Sequence, residues 1–240
     1  MSTASKKRKT ADVVMSVKKT TKSAVVPRRI PRMVGTHTKG AFFKSGANYP
    51  FADSTVRTLR YAGQFSINAP IATAGGYVFC ANGLYDPDIS GTGHQPYGFD
   101  QLMAMYNHYE VLSSCIRVSC FNSSEPTGFF IGIKLDDNGT STGDAELILE
   151  QPHWNAQAVL SNRGARCVQV FNQFNQKKFF GDKGGDRETW GDASSNPVDQ
   201  AYFIVAVVPV TSSQDVPTIP FVAEIEYKVK FHEPKELGKS

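Results

Sequence analysis

The sequence predicts an all-β fold, a sandwich of seven or eight strands behind a basic N-terminal arm. Three observations carry this. The segment "AEIEYKVKFHE" alternates Ile225, Tyr227, Val229 and Phe231 with Glu224, Glu226, Lys228 and Lys230, the strict period two of a half-buried strand. The run "AYFIVAVVPV", Ala201 to Val210, is apolar on both faces and predicts a central buried strand. Helical signals are few and short, and long Gly- and Pro-rich stretches separate the apolar segments, which favours a sandwich with long connections over a tight meander.

Residues 1–40 hold bases, Ser, Thr and Val without a regular apolar face. Val13, Val14, Val17, Val25 and Val26 disfavour a helix there, and Pro27 and Pro31 interrupt the end of the arm. This arm is expected to be disordered in isolation and to order on a partner. Aromatics begin at Phe42 and Phe43, so the folded domain is expected over 41–240. Val56–Asn68 and Gly75–Tyr85 read as strands. Tyr109–Asn122 reads as a third, with Val111 on one face and Leu112, Ile116, Val118 and Cys120 on the other. Gly128–Asp137 is a fourth, closed by the Asn138-Gly139 turn, and Ala165–Phe174 a fifth. Two short helices fall in loops: Gly98–Tyr109, with Asp100 as N-cap, and Gly143–Gln151, with an Asp near its start.

Charge is segregated. The chain of 240 residues has a formal net charge of +4, which hides two opposite parts. Residues 1–44 carry 12 of the 26 Lys and Arg and one acid, Asp12, a net of +11; residues 45–240 carry 14 bases and 21 acids, a net of −7. The arm's bases form three clusters: Lys6, Lys7, Arg8 and Lys9; Lys18, Lys19 and Lys22; Arg28, Arg29 and Arg32. Clustered bases on a tether bind polyphosphate by releasing counterions, with little regard to sequence, so the arm reads as a nucleic-acid-binding element rather than a solubilising tail. Lys6, Lys7, Arg8 and Lys9 followed by Lys18 and Lys19 also fit a nuclear import address, whose partner would be a nuclear import receptor. Bases and aromatics interleave again in Arg163–Gly185, where Lys177 and Lys178 are the candidate nucleic-acid contacts and the Phe residues read mainly as core.

Other chemistry finds little footing. Asp86, Asp88 and His94 lack the spacing of a zinc motif, and the loop reads as structural, with calcium at a subunit contact as the alternative. The sequence carries no Gly-x-Ser-x-Gly elbow, Cys-x-x-Cys pair or phosphate-binding Gly loop, and none of His37, His94, His108, His153 and His232 forms a His-x-His pair, so neither an enzyme nor a cofactor is expected. The apolar runs are too short to span a bilayer and no secretory signal follows the basic cluster, so no membrane partner is expected. In that setting Cys80, Cys115, Cys120 and Cys167 are expected as reduced thiols, and the sequons at Asn122 and Asn138 as chance matches.

One stretch is specific. "GLYDPDISGTGHQPYGFDQLMAMYNHYEV", ending at Val111, closely resembles a segment of the capsid proteins of small circular single-stranded DNA viruses that encode a replication-initiator protein, the circovirus-like group. The matching residues are Asp86-Pro87-Asp88, Gly93-His94-Gln95-Pro96, Gly98-Phe99-Asp100-Gln101, Tyr106, Tyr109 and Val111, with looser likeness at Lys177–Gly181 and Tyr202. The resemblance implies a single eight-stranded jelly roll. It implies a homo-oligomer, a small icosahedral shell of sixty copies whose arms point inward onto a circular single-stranded DNA genome. It implies the virion as location, with the host nucleus during assembly. The arm departs from the group's pattern by mixing Lys with Arg where circoviruses proper are heavily Arg-rich. Two alternatives stay open: the capsid protein of a small RNA virus or satellite, and a cellular basic-tailed β-sandwich binding module.

Overall fold

The computed structural model describes residues 52–91, 93–121, 128–152, 154–159 and 167–236. Arm bases Lys6 to Arg32, with Arg163, Arg166, His37, His153 and Asn122, lie outside the described residues. The strands are β1 (Ser54–Ala69), β2 (Gly75–Cys80), β3 (Tyr106–Phe121), β4 (Phe129–Asp136), β5 (Trp154–Val159), β6 (Cys167–Asn175), the two-residue β7 (Trp190–Gly191), β8 (Tyr202–Pro209) and β9 (Val216–Pro234). Among the described residues three short α-helices, α1 (Phe99–Met103), α2 (Ala145–Glu150) and α3 (Gln176–Phe180), and two single turns of 3-10 helix, Gly181–Lys183 and Arg187–Thr189, join them. Among the described residues no helix is long and apolar enough to cross a membrane.

All pairings are antiparallel, in two sheets ordered β1-β9-β3-β6, with β7 beside β3, and β2-β8-β4-β5. The pairing is nested. β1 meets β9, β2 meets β8, β3 meets β6, and β4 meets β5. A long antiparallel ribbon wrapped into two facing sheets gives this order, which is the jelly roll. Its eight long strands match the expected number.

The core lies between the sheets. β9 contributes Phe221, Ala223, Ile225, Tyr227, Val229 and Phe231, every second residue, and each is buried. They meet Phe129, Ile131 and Ile133 of β4 and Phe203, Val205 and Val207 of β8 in one cluster. Full burial of each Val, Ile or Phe among them contributes about 1.5–3 kcal/mol. β8 is apolar on its other face too, because α2 and the loop before it cover that face: Ile148 packs on Ala206 and Val208, with Phe130, Ala145 and Trp154 around them. Gly76 is required beneath this cover, since a Cβ there would run into Ser141. The Ala74 amide donates to the Gly143 carbonyl at 2.8 Å and pins the loop down.

Local expectations change, among them the helix expected over Gly98–Tyr109, which stops at Met103 with Tyr106 already in β3. The sequence pattern sets Val111 on the face opposite Ile116, yet both are buried in the same core. A bulge between Val111 and Ser113 shifts the β3–β9 register by one and moves Val111 to the inner face. The N-cap of α1 is Gly98 rather than Asp100; its φ of 87° is a conformation that suits Gly, and Asp100 sits in the first turn. The second strand ends at Cys80 because Asn82 takes over the pairing through its side chain, accepting from the Ala201 amide at 2.9 Å and donating to the Asp199 carbonyl at 2.8 Å. α2 starts as expected on Asp144, whose carboxylate accepts from the amides of Glu146 and Leu147.

Candidate functional site

The stretch after β2 is built from the inside outward. Tyr109 of β3 is wholly buried, and its hydroxyl accepts from the Leu84 amide at 3.0 Å. The Asn196 side chain accepts from the amides of Tyr85 and Asp86 and donates to the Asp86 carbonyl at 3.1 Å. Tyr77 donates to Asp88 at 2.7 Å, and the Ser90 amide donates to the same carboxylate at 3.0 Å. Burial, with the Asp88 charge second, pushes the Asp86 carboxyl above its usual range. The ring of His94 lies 4.8 Å from that of Tyr61, with one nitrogen 3.0 Å from the Ala62 carbonyl and the other 2.8 Å from the Gln95 carbonyl. Pro96 and Phe99 are buried, and Phe99 meets Tyr109 edge to face at 5.4 Å.

The result is a fixed cover along the outer edge of β1. The Ala62 carbonyl faces His94, and the Arg60 carbonyl accepts from the Tyr97 amide at 3.4 Å. Covering edge groups in this way blunts a strand that would otherwise template further pairing. Asp86, Asp88 and His94 thus serve as anchors of the loop, and no cluster of three or more His, Cys, Asp or Glu placed to hold a metal occurs among the described residues. From this frame the side chain of Tyr97 projects, 94% exposed.

The second region is the β6–α3 segment. Lys177 and Lys178 are exposed in α3, whose N-cap Asn175 accepts from the Lys178 amide at 3.1 Å. The nearby aromatics divide. Phe174 is core, Phe179 and Phe180 are half-buried and meet edge to face at 5.0 Å, and Phe171 is 55% exposed on the outer face of its sheet. The register puts Phe171 directly across from Arg117, a neighbourhood that the sequence did not reveal because it depends on strand pairing.

Arg117 does not make that face basic. It lies 3.8 Å from Glu224, and Arg60 lies 3.0 Å from Glu226, so two exposed ladders of opposite charge cross the sheet around a depression of about 260 Å³. A larger hollow of about 460 Å³ lies beside β6, between Leu135, Asn172, Gln173, Asn175, Lys178 and Phe179. The cysteines are free; burial pushes the thiols of Cys80 and Cys120 up to about 12, which leaves them protonated and unreactive at neutral pH.

No protein-family model matches the chain, and no curated protein sequence matches it. Solved structures similar to it include a decameric BFDV capsid protein, 14% identical, with 74% of this chain and 99% of that chain covered at a TM-score of 0.44. Cocksfoot mottle virus is 12% identical, with 76% and 95% covered at 0.45. Desmodium yellow mottle tymovirus is 10% identical, with 85% and 99% covered at 0.41. The nested strand order and its register define the jelly roll independently of these likenesses.

Proposed function

We propose that this chain is a viral structural protein that self-assembles into a small icosahedral capsid and packages circular single-stranded DNA through its basic arm. The observation that carries the reading is charge segregation: a net of +11 in residues 1–44 attached to a body of −7. A mildly acidic body lets identical subunits meet without the repulsion that the arm's charge would create at a contact. Sixty inward arms would supply on the order of several hundred positive charges, each able to neutralise a phosphate, without sequence preference. The bases Lys6 to Lys9, with Lys18 and Lys19, serve first as a nuclear address and then, with Lys22, Arg28, Arg29 and Arg32, as the counter-charge of the genome. Single-stranded DNA is favoured over RNA by that address and by the "DPD…GHQP.GFDQ" resemblance.

Electron microscopy of the purified full chain tests the reading: uniform particles of roughly 20 nm are expected from subunit volume, and a chain that stays monomeric across salt and pH overturns it. Removal of residues 1–40 should leave assembly intact and abolish most nuclease-protected nucleic acid. Digestion of the material protected in authentic particles with DNase or RNase decides between a DNA and an RNA genome.

A further inference from the structure

We propose that the loop carrying Tyr97 is the projecting half of a head-to-tail contact between copies of this chain, and that the hollow beside β6 is the receiving half. This rests on the self-assembly reading and names the surfaces by which one subunit meets the next.

A single exposed aromatic residue is ordinary on a protein surface. Tyr97 differs in how it is held. Its own amide is bonded to β1, Pro96 before it and Phe99 after it are buried, and the Phe99 amide donates to the Pro96 carbonyl at 3.1 Å. Gly98, at a φ of 87°, turns the chain so that Tyr97 faces outward while Phe99 faces the core. A side chain presented on a fixed backbone gives up little freedom on binding, and tyrosine is among the residues that dominate protein contacts.

The hollow suits it. At about 460 Å³ it falls in the size range of pockets that enclose a ligand, roughly 300–1,000 Å³. Leu135 and the half-buried Phe179 offer apolar walls for a ring, and the side-chain amides of Gln173 and Asn175 offer partners for a phenolic hydroxyl, while Asn172 is held by the Ile133 carbonyl and the Gln173 backbone amide. Charge is complementary. Asp100 stands exposed three residues past Tyr97, and Lys178, with Lys177 beside it, stands exposed at the hollow. Arg60, next to the projecting loop, is already matched by Glu226 at 3.0 Å and adds little repulsion toward Lys178.

Position completes the case. The projecting loop lies on β1 and the hollow on β6, the two opposite edges of one sheet. Contacts between two different patches are heterologous, and they repeat around a closed assembly when the rotation between copies closes. Lys178 then neutralises a neighbour's carboxylate rather than a phosphate.

The full-length chain tests this. A photoreactive benzoylphenylalanine placed at 97 should cross-link, after assembly, to tryptic peptides of a second copy within residues 167–183 or to the peptide that begins at Leu135. Tyr97→Ala should keep the circular dichroism spectrum and melting temperature and raise the protein concentration needed for assembly about tenfold or more, read by light scattering. Asp100→Lys and Lys178→Glu should each impair assembly, and the double variant should recover most of it. Cross-links that map elsewhere, Tyr97→Ala assembling at the wild-type concentration, or Lys178→Glu losing only nucleic acid, would overturn the pairing. A wild-type chain that forms no assembly at all would sink the self-assembly reading itself, a result distinct from these.

Discussion

The two sheets treat their outer faces in opposite ways. The β1-β9-β3-β6 sheet presents Thr58, Arg60, Gln64, Glu224, Glu226 and Arg117 to solvent, and its central strand β9 alternates residue by residue. The β2-β8-β4-β5 sheet is roofed by α2, and its central strand β8 is apolar throughout. What looks like a difference in strand composition is therefore a difference in what lies above the strand. A period of two means one wet face; its loss means that something covers the second.

Substitutions can break or sharpen this contrast. The largest effect is expected from Ala206→Asp, which puts a charge under the roof of β8 where no residue surface is exposed; a loss of about 3–5 kcal/mol or failure to fold is expected, measured by urea unfolding. Ile148→Ala removes the main contact of α2 with β8 and should cost about 2–3 kcal/mol. Asp144→Ala removes the cap of the same helix and should cost about 1 kcal/mol, visible as a lower urea midpoint, with Asp144→Asn recovering most of it. A smaller change on the open sheet is set by pH. Burial, then Lys230, hold the His232 imidazole below its ordinary 6.5, with His108 adding to this and Glu110 and Glu233 opposing it. Between its folded value and 6.5 the unfolded chain binds more protons, so His232's contribution is complete above 6.5 and is lost as pH falls through the folded value. Unfolding midpoints across this window should fall with acid, and His232→Gln should flatten the fall. The smallest effect is expected from Glu226→Gln, which breaks an exposed pair with Arg60 and should change stability by about 0.5 kcal/mol or less.

The same contrast explains what was legible in the sequence. β9 and β8 declare themselves because pattern alone encodes them. β5, "WNAQAV", does not: six residues with two Ala and an Asn carry little strand signal, and its pairing with β4 supplies the order. α3 is hidden because "QKKFF" invites reading as a basic and aromatic patch, whereas Asn175 caps a single turn there. The parity of Val111 is unreadable, since a bulge is a property of two strands in register. At the candidate site, the residues from Asp86 to Asp100 stand out in the sequence as a set. Their work as an edge cover needs the outward carbonyls of Arg60 and Ala62. The meeting of Arg117 with Phe171 likewise needs the register of β3 on β6.

The nested pairing has a consequence for synthesis. β9 is made after the other eight strands, yet it sits between β1 and β3 and is hydrogen-bonded along most of both. A nascent chain therefore leaves β1 and β3 unjoined until the ribosome has finished β9, and contacts of such long sequence separation form slowly. A polypeptide cut short before β9 lacks the middle of its larger sheet, not its margin. Prematurely terminated chains thus cannot complete the larger sheet, and only copies that include β9 close it over the core.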